Sequence, residues 1–299
     1  MSLSSAPEAR AAAARPRPAA VPGWVWLAGP YMLVLLLALL VPLANLGNLS
    51  VLRYDPQSIW TADLTLENYD RLLDSHYFDV LVRTLRIGVI PALACLLIGA
   101  PLAYWLARCS RSMLALGLFF VVMPMMVSTV IRAFGWMVLL GRNGVLNGTA
   151  VSLGFDRWVF IMNTEAAVIL ALVQICLPLM VLPAMAAIEK IPRALEEAAT
   201  NLGAGPVQLA RQVLIPLAAP GLASGALLCF VIAISVVVTP ALMGGRSNRM
   251  IGNEIYDQVI TALNWPFASA MAATLIVVVV GILLLSGAAA RWLAPRTEG

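Results

Sequence analysis

The sequence predicts an all-α membrane protein with six transmembrane helices. Three observations lead there. The 299-residue chain is 61% hydrophobic and only 11% charged, whereas a soluble domain is about 25% charged. Its mean hydropathy is +0.90. Six stretches are also apolar enough, over the roughly 20 residues a spanning helix needs, to cross a bilayer.

Residues 1–22, rich in Ala, Pro and Arg, read as a tail outside the membrane. The apolar run behind them is too long for a signal-peptide core and lacks a clear small-residue cleavage site, so it reads as an uncleaved first span. That span covers about Trp24 to Leu46. The second runs from Ile87 to Ala107, with a lead-in from about Val80. The third is about Met113 to Ile131, with a possible extension past Arg132 to Leu140. The fourth is Ala166 to Ile188, where Gln174 is the only strongly polar residue. The fifth is about Leu217 to Met243 and the sixth about Phe267 to Ala290. Residues 23–293 thus form the membrane domain, and 294–299 a second tail. Several spans carry proline, which kinks a helix but is tolerated in membranes where neighbours satisfy the freed carbonyl.

The connections are polar. Between spans one and two lie Asp55, Asp63, Glu67, Asp70, Asp74 and Asp79. There, "LTLENYDRLL" places Leu64, Tyr69, Leu72 and Leu73 at helical spacing, predicting a short surface helix. "LGRNGVLNG" after span three is rich in turn residues, and "MGGRSNRMIGNEIYDQVITALNWP" after span five reads as an exposed loop. Asn264 before Trp265-Pro266 is the signature of a cap and first turn for span six. Basic residues divide almost evenly between the two sides, and the acids lean outward. Arg108 and Arg111, directly after span two, are the best local inside signal. They place both termini, and the segment between spans four and five, in the cytoplasm.

Several chemistries are excluded. Lys190 is the only lysine and follows a glutamate, so the chain has no Walker A lysine. His76 is the only histidine, which rules out a two-histidine zinc motif. Cys95, Cys109, Cys176 and Cys229 form no CxxC pair and read as small buried hydrophobes. No catalytic set and no metal site is expected.

The segment 189–218 interrupts two of the most apolar runs. Pro192 suits a first helical turn, and Glu196 and Glu197 complement a helix N-terminus. Ile191, Leu195, Ala198 and Leu202 make one apolar stripe, and Gly203 supplies a left-handed stop. Pro206 opens a second helix, with Val207, Ala210 and Leu214 on one face, which Pro216 ends at the membrane. The result is a helix-turn-helix with Ala199, Thr200 and Asn201 near its tip. It either caps the bundle as a plain loop or docks a soluble partner.

Glu197-Ala198-Ala199, three residues, Gly203, nine residues, then Val213-Leu214-Ile215-Pro216 resembles the E-A-A loop of ABC-importer permeases. That pattern ends in I-x-L-P, and here Val213 and Ile215 replace its Ile and Leu. "LVRTLRIGVIPALACLLIGAPLAYWLAR", "VIRAFGWMVLLGRNGVLN" and "VTPALMGG" followed by "MIGNEI" resemble the spermidine/putrescine branch. The resemblance covers nearly the whole chain after the tail. It implies a type I permease fold in a bacterial cytoplasmic membrane, importing a polyamine or related amine. It also implies two ATP-binding subunits, a second homologous permease and an extracytoplasmic substrate-binding protein, with no nucleic-acid partner. ATP and Mg would sit on the ATPase, so this chain would be a non-catalytic subunit without a cofactor. Glu197, Ala198, Ala199, Gly203 and Pro216 would transmit ATPase movement through a coupling helix.

Polar residues inside spans are the candidates for a translocation path: Gln174, Ser235 and Thr239, with Glu165 at a span end. Helix–helix hydrogen bonding is the alternative role for the first three, and a helix-dipole role for Glu165. Arg86 and Arg132 also lie near span ends. Gly221 and Gly225 form a GxxxG pair suited to close packing. One departure concerns the substrate: Val236 stands where many polyamine permeases are expected to carry an acid, which leaves amino-acid-like amines and other small solutes open. A secondary transporter or channel is the alternative class, but it would more often place carboxylates mid-span.

Overall fold

The computed structural model describes residues 23–154 and 161–293. Both predicted tails, 1–22 and 294–299, lie outside the described residues. In order the elements are α1 (Gly23–Ser50), β1 (Leu52–Asp55), β2 (Ile59–Leu64), α2 (Glu67–Leu72), α3 (Ser75–Arg108), α4 (Arg111–Met126), α5 (Thr129–Leu140) and α6 (Val145–Ser152). There follow α7 (Glu165–Glu189), α8 (Arg193–Asn201), α9 (Pro206–Leu209), a π-turn (Ala210–Leu214), α10 (Ile215–Ser235), α11 (Val238–Met243), α12 (Ile251–Ile260) and α13 (Trp265–Leu293). Residues up to Asn45 form one unit and those from Leu46 a second. In the first, the side chains of residues 29–45 are exposed along the helix, as befits an apolar rod whose solvent is lipid.

The second unit is built on α3, α7 and α10, which pack mutually. Ile87, Cys95, Leu172, Cys176, Met180 and Cys229 are fully buried between them. The cysteines at this core do act as small packing residues. The Cys176 thiol donates to the Cys229 carbonyl (3.4 Å) and the Cys229 thiol to the Cys176 carbonyl (3.2 Å). Glycine sets how near α10 comes to α7. A Cβ on Gly221 would lie 2.7 Å from the Pro183 carbonyl oxygen, and one on Gly225 would lie 3.0 Å from that of Met180. The GxxxG pair is therefore a packing device.

Among the described residues, five helices are long and apolar enough to span a membrane, and a sixth arises if a bent pair counts as one. That pair replaces the predicted continuous third span. The segments Arg111–Met126 and Thr129–Ser152 meet at 102°. Pro124 cannot donate a backbone hydrogen bond, Val127 is extended, and Ser128 (φ −53°, ψ 140°) is not helical. Arg132 folds back to donate to the Val127 carbonyl (2.8 Å), supplying a partner that the broken helix lacks.

The predicted fifth span is also shortened. Its helix stops at Ser235, Val236 is extended, and α11 starts afresh. Asn253 donates through Nδ2 to the Val237 carbonyl (2.8 Å). The segment read as an exposed loop after span five thus contains α12, with Met250, Ile251 and Asn253 buried. The Ile251 N–H is taken up by the Thr84 hydroxyl of α3 (2.8 Å).

At the same end of the bundle the chain adds a feature absent from the all-α expectation: an antiparallel hairpin pairing Tyr54 with Trp60 and Asp55 with Ile59. "LRYD" and the "WTADL" of β2 alternate apolar and polar residues around a Pro-containing turn, a strand signal in an acidic loop. Ser58 hydrogen bonds pull the Asp55 carboxyl below its usual range in that turn. Trp60 stacks at 6.0 Å from Trp265, and the Tyr54 hydroxyl donates to the Ala262 carbonyl, which fixes the hairpin to the start of α13. Short helix α2 forms as expected, and its Arg71 lies over the buried Phe267 ring at 4.4 Å. Asn264 caps α13 by accepting the Phe267 N–H (3.1 Å).

Replacing Gly221 by valine forces α7 and α10 apart. Overpacking of this kind costs about 1–3 kcal/mol, so the variant should unfold at a clearly lower temperature in detergent than the parent, as followed by circular dichroism.

Candidate functional site

At the end of the bundle opposite the hairpin, residues 189–218 leave α7 and re-enter as α10. Pro192, with φ −60° and ψ 132°, turns the chain before α8. After α8, Gly203 takes φ +86°, the left-handed conformation that side chains disfavour. Its N–H bonds to the Thr200 carbonyl (2.9 Å), and the Ala204 N–H reaches back to Ala199 (3.0 Å). These are the two reverse bonds of a Schellman stop, which satisfy the last carbonyls of α8. Gln208 accepts the Gly205 N–H (3.2 Å) and closes the entry to α9.

Pro216 does not end the second helix. From α9 the chain passes through the π-turn at Ala210–Leu214 directly into α10, giving one apolar helix over Pro206–Ser235. A proline ring clashes with the carbonyl four residues earlier. The wider π-turn next to it makes room for the ring while the helix continues. The second arm of the loop is therefore a rigid extension of a spanning helix.

The apolar stripe predicted for α8 is not packed. Ile191 is buried, but Leu195 is 46% exposed and Leu202 90% exposed, and Val207 across the turn is 77% exposed. Ala198 and Glu197 are exposed beside them, and Ala199 is half-buried. Among the described residues, nothing covers this small apolar edge.

Glu196 behaves unlike its neighbour Glu197. Its carboxylate accepts from the Tyr104 hydroxyl (2.9 Å) and from Arg108 Nε (2.8 Å), with Arg108 Nη2 at 2.5 Å. Arg108 also donates to the carbonyls of Ile188 (3.2 Å) and Ile191 (2.9 Å). Sequence reasoning took Arg108 as a topology signal and Glu196 as a helix-dipole acid, and it left Tyr104 out. The available signal was an arginine one residue past the end of an apolar span, where it must find acceptors.

The path candidates occupy separate places. Gln174 accepts from the Trp136 indole N–H (2.7 Å) and, with Pro124, lines two cavities of about 420 and 430 Å³. Ser235 turns its hydroxyl back to the Val231 carbonyl (2.7 Å) at the end of α10. Thr239 is buried on α11. Glu165 opens α7 and pairs with Arg86 through Nε (2.8 Å) and Nη2. Among the described residues, no hydrogen bond or ion pair joins any two of these four. Nor does any cluster of three or more His, Cys, Asp or Glu stand ready to hold a metal ion.

This geometry defines a class: a polytopic helical membrane protein whose ordered internal loop projects from one end of the bundle. The chain belongs to the family described as binding-protein-dependent transport system inner membrane component, which matches residues 84–299. It is 38% identical over 273 residues to the spermidine/putrescine transport system permease protein PotB of Escherichia coli (strain K12), covering 89% of this chain and 99% of that protein. It is 28% identical over 230 residues to a putative 2-aminoethylphosphonate transport system permease protein, PhnU, of Salmonella typhimurium, covering 75% and 79%. Among solved structures, a bacterial alginate ABC transporter in complex with its alginate-bound periplasmic protein has a chain that superposes with a TM-score of 0.76 at 19% identity, covering 91% of this chain and 96% of that one. A chain of the inward-facing MetNI methionine ABC transporter gives 0.53 at 21%, covering 71% and 93%. The protein thus has the fold of ABC-transporter permeases and is a multi-pass inner-membrane transport subunit.

Replacing Gly203 by valine puts a β-branched residue at φ +86°, where a substitution by even alanine costs more than about 1 kcal/mol. The loop should then open, seen as faster trypsin cleavage after Arg211 in detergent solution, with the spans still helical.

Proposed function

We propose that this chain is one of two permeases of an ATP-driven polyamine importer. The observation that carries the reading is the loop at 189–218: a stiff pair of helices, closed by a Schellman turn and continuous with a span, with an exposed apolar edge. Such an edge suits a groove on a partner. Two cytoplasmic ATP-binding subunits, holding ATP and Mg, would receive α8 and drive the bundle between states. Glu197, Ala198, Ala199 and Gly203 form the contact, and Pro216 lies where the loop joins α10. This chain itself hydrolyses nothing.

The loop, and both termini, then face the cytoplasm, and the hairpin end faces an extracytoplasmic binding protein that delivers solute. A second, homologous permease completes the path. Gln174, which lines two cavities beside the bend in span three, is the best supported path residue. Similarity to PotB over 89% of the chain supports spermidine or putrescine as the solute. Val236 offers no anion at the end of α10, so a carboxylate facing the cation comes from the second permease or another segment.

Leu202→Glu places a charge on the exposed edge without touching a packed residue. The parent should copurify an ATPase bearing a Walker A motif and, in proteoliposomes with its binding protein, accumulate labelled spermidine only with Mg-ATP. The variant should lose the ATPase and at least tenfold of the uptake. Spermidine accumulation by this chain alone, without ATP, would contradict the reading.

A further inference from the structure

We propose that Glu196 is a positioning residue. Through Arg108 and Tyr104 it locks α8 to the ends of α3 and α7, so that a push on the loop reaches those two spans as well as α10. This rests on the reading that the loop is where an ATPase docks.

Apolar packing cannot hold α8 in place, because none of its residues is buried. A short helix at a membrane surface needs some other anchor to keep one orientation. The Glu196 and Arg108 side chains supply it: they are 13% and 15% exposed, against 56% for Arg86 in the pair at the opposite end. An ion pair shielded from water keeps its attraction, whereas an exposed one is screened and contributes little.

Its geometry is also specific. A guanidinium offers five donors in a fixed plane. Here Nε and Nη2 meet Glu196, while Nη2 also reaches two carbonyls where α7 gives way to the loop. Tyr104, one turn earlier on α3, takes the second carboxylate oxygen. One carboxylate is thereby tied twice to α3, and the same arginine ties α3 to the end of α7. Meanwhile Arg193, at the start of α8, donates back to the Arg108 carbonyl (3.4 Å).

The other arm needs no such lock, since α9 runs into α10 without interruption. Between that arm and α3 lies an apolar cavity of about 380 Å³, walled by Pro101, Tyr104, Leu209, Leu214 and Ala218 among others. Contact between α3 and the second arm is therefore loose at this level. The polar node is the firm link from the loop to α3 and α7. Glu197, one residue on, turns outward to the partner, so the two adjacent glutamates divide the work: one faces the ATPase and the other the bundle.

The test uses the complete complex purified through this chain and reconstituted in proteoliposomes. Two quantities are measured: copurified ATP-binding subunit, and the ratio of ATP hydrolysis with and without the extracytoplasmic binding protein. That stimulation must cross the bundle to reach the ATPase. Glu196→Gln should copurify the ATP-binding subunit as the parent does while its stimulation ratio falls at least tenfold toward unity. Glu196→Asp should recover part of the ratio. Tyr104→Phe, which keeps the ion pair, should lower it about twofold to fivefold. A Glu196→Gln complex stimulated as strongly as the parent would overturn the inference. So would loss of the subunit from that variant, since Glu196 would then be a docking residue. Failure of the parent itself to copurify an ATPase would instead refute the proposed function.

Discussion

A backbone in lipid has no water to satisfy it, and this constraint shapes the whole bundle. Several places where a helix ends or bends carry a substitute partner. Arg132 serves the Val127 carbonyl at the bend in span three. Asn253 serves Val237 at the end of span five, and Asn248 serves Asn163 and Gly244. Arg108 serves Ile188 and Ile191 at the end of span four. Polar side chains sit at these breaks because a break without a partner would leave a polar group unpaired in an apolar medium.

The same constraint makes the loop stiff. A chain leaving α7 at Glu189 and entering the next long helix at Pro206 has to finish one helix and start another within few residues. It does so with a proline, a left-handed glycine and two reverse hydrogen bonds. Flexible linkers absorb movement, while a closed pair of helices continuous with a span passes it on. The π-turn is the one irregularity in that path, and it lies where Pro216 would otherwise break the rod.

Much of this was legible in the sequence. Length and hydropathy located the spans, since both report directly on the solvent. Gly203 and Asn264 were legible because turn and cap chemistry is local. The bends at Val127 and Val236 were not: Pro124 marks a kink but not its angle, and Val236–Val238 read as uninterrupted grease. The contact that seats α12 on α3 comes from far along the chain; Thr84 and Ile251 are 167 residues apart. Glu196 and Glu197 are chemically identical neighbours, and only the position of α3 decides that the first is held at Arg108 while the second faces out. Pro216 misled because a proline need not end a helix; here a π-turn precedes it and the helix continues into α10.

The proposed function seats the exposed edge of the 189–218 loop on an ATP-binding subunit. Site-specific photocrosslinking tests it most directly, with a benzophenone amino acid placed at Leu202 in the intact complex and, for comparison, at Leu66 beside the hairpin. A strong adduct between position 202 and the ATP-binding subunit is expected, and none from position 66. An adduct to that subunit from position 66 alone, or no adduct from position 202, would contradict it.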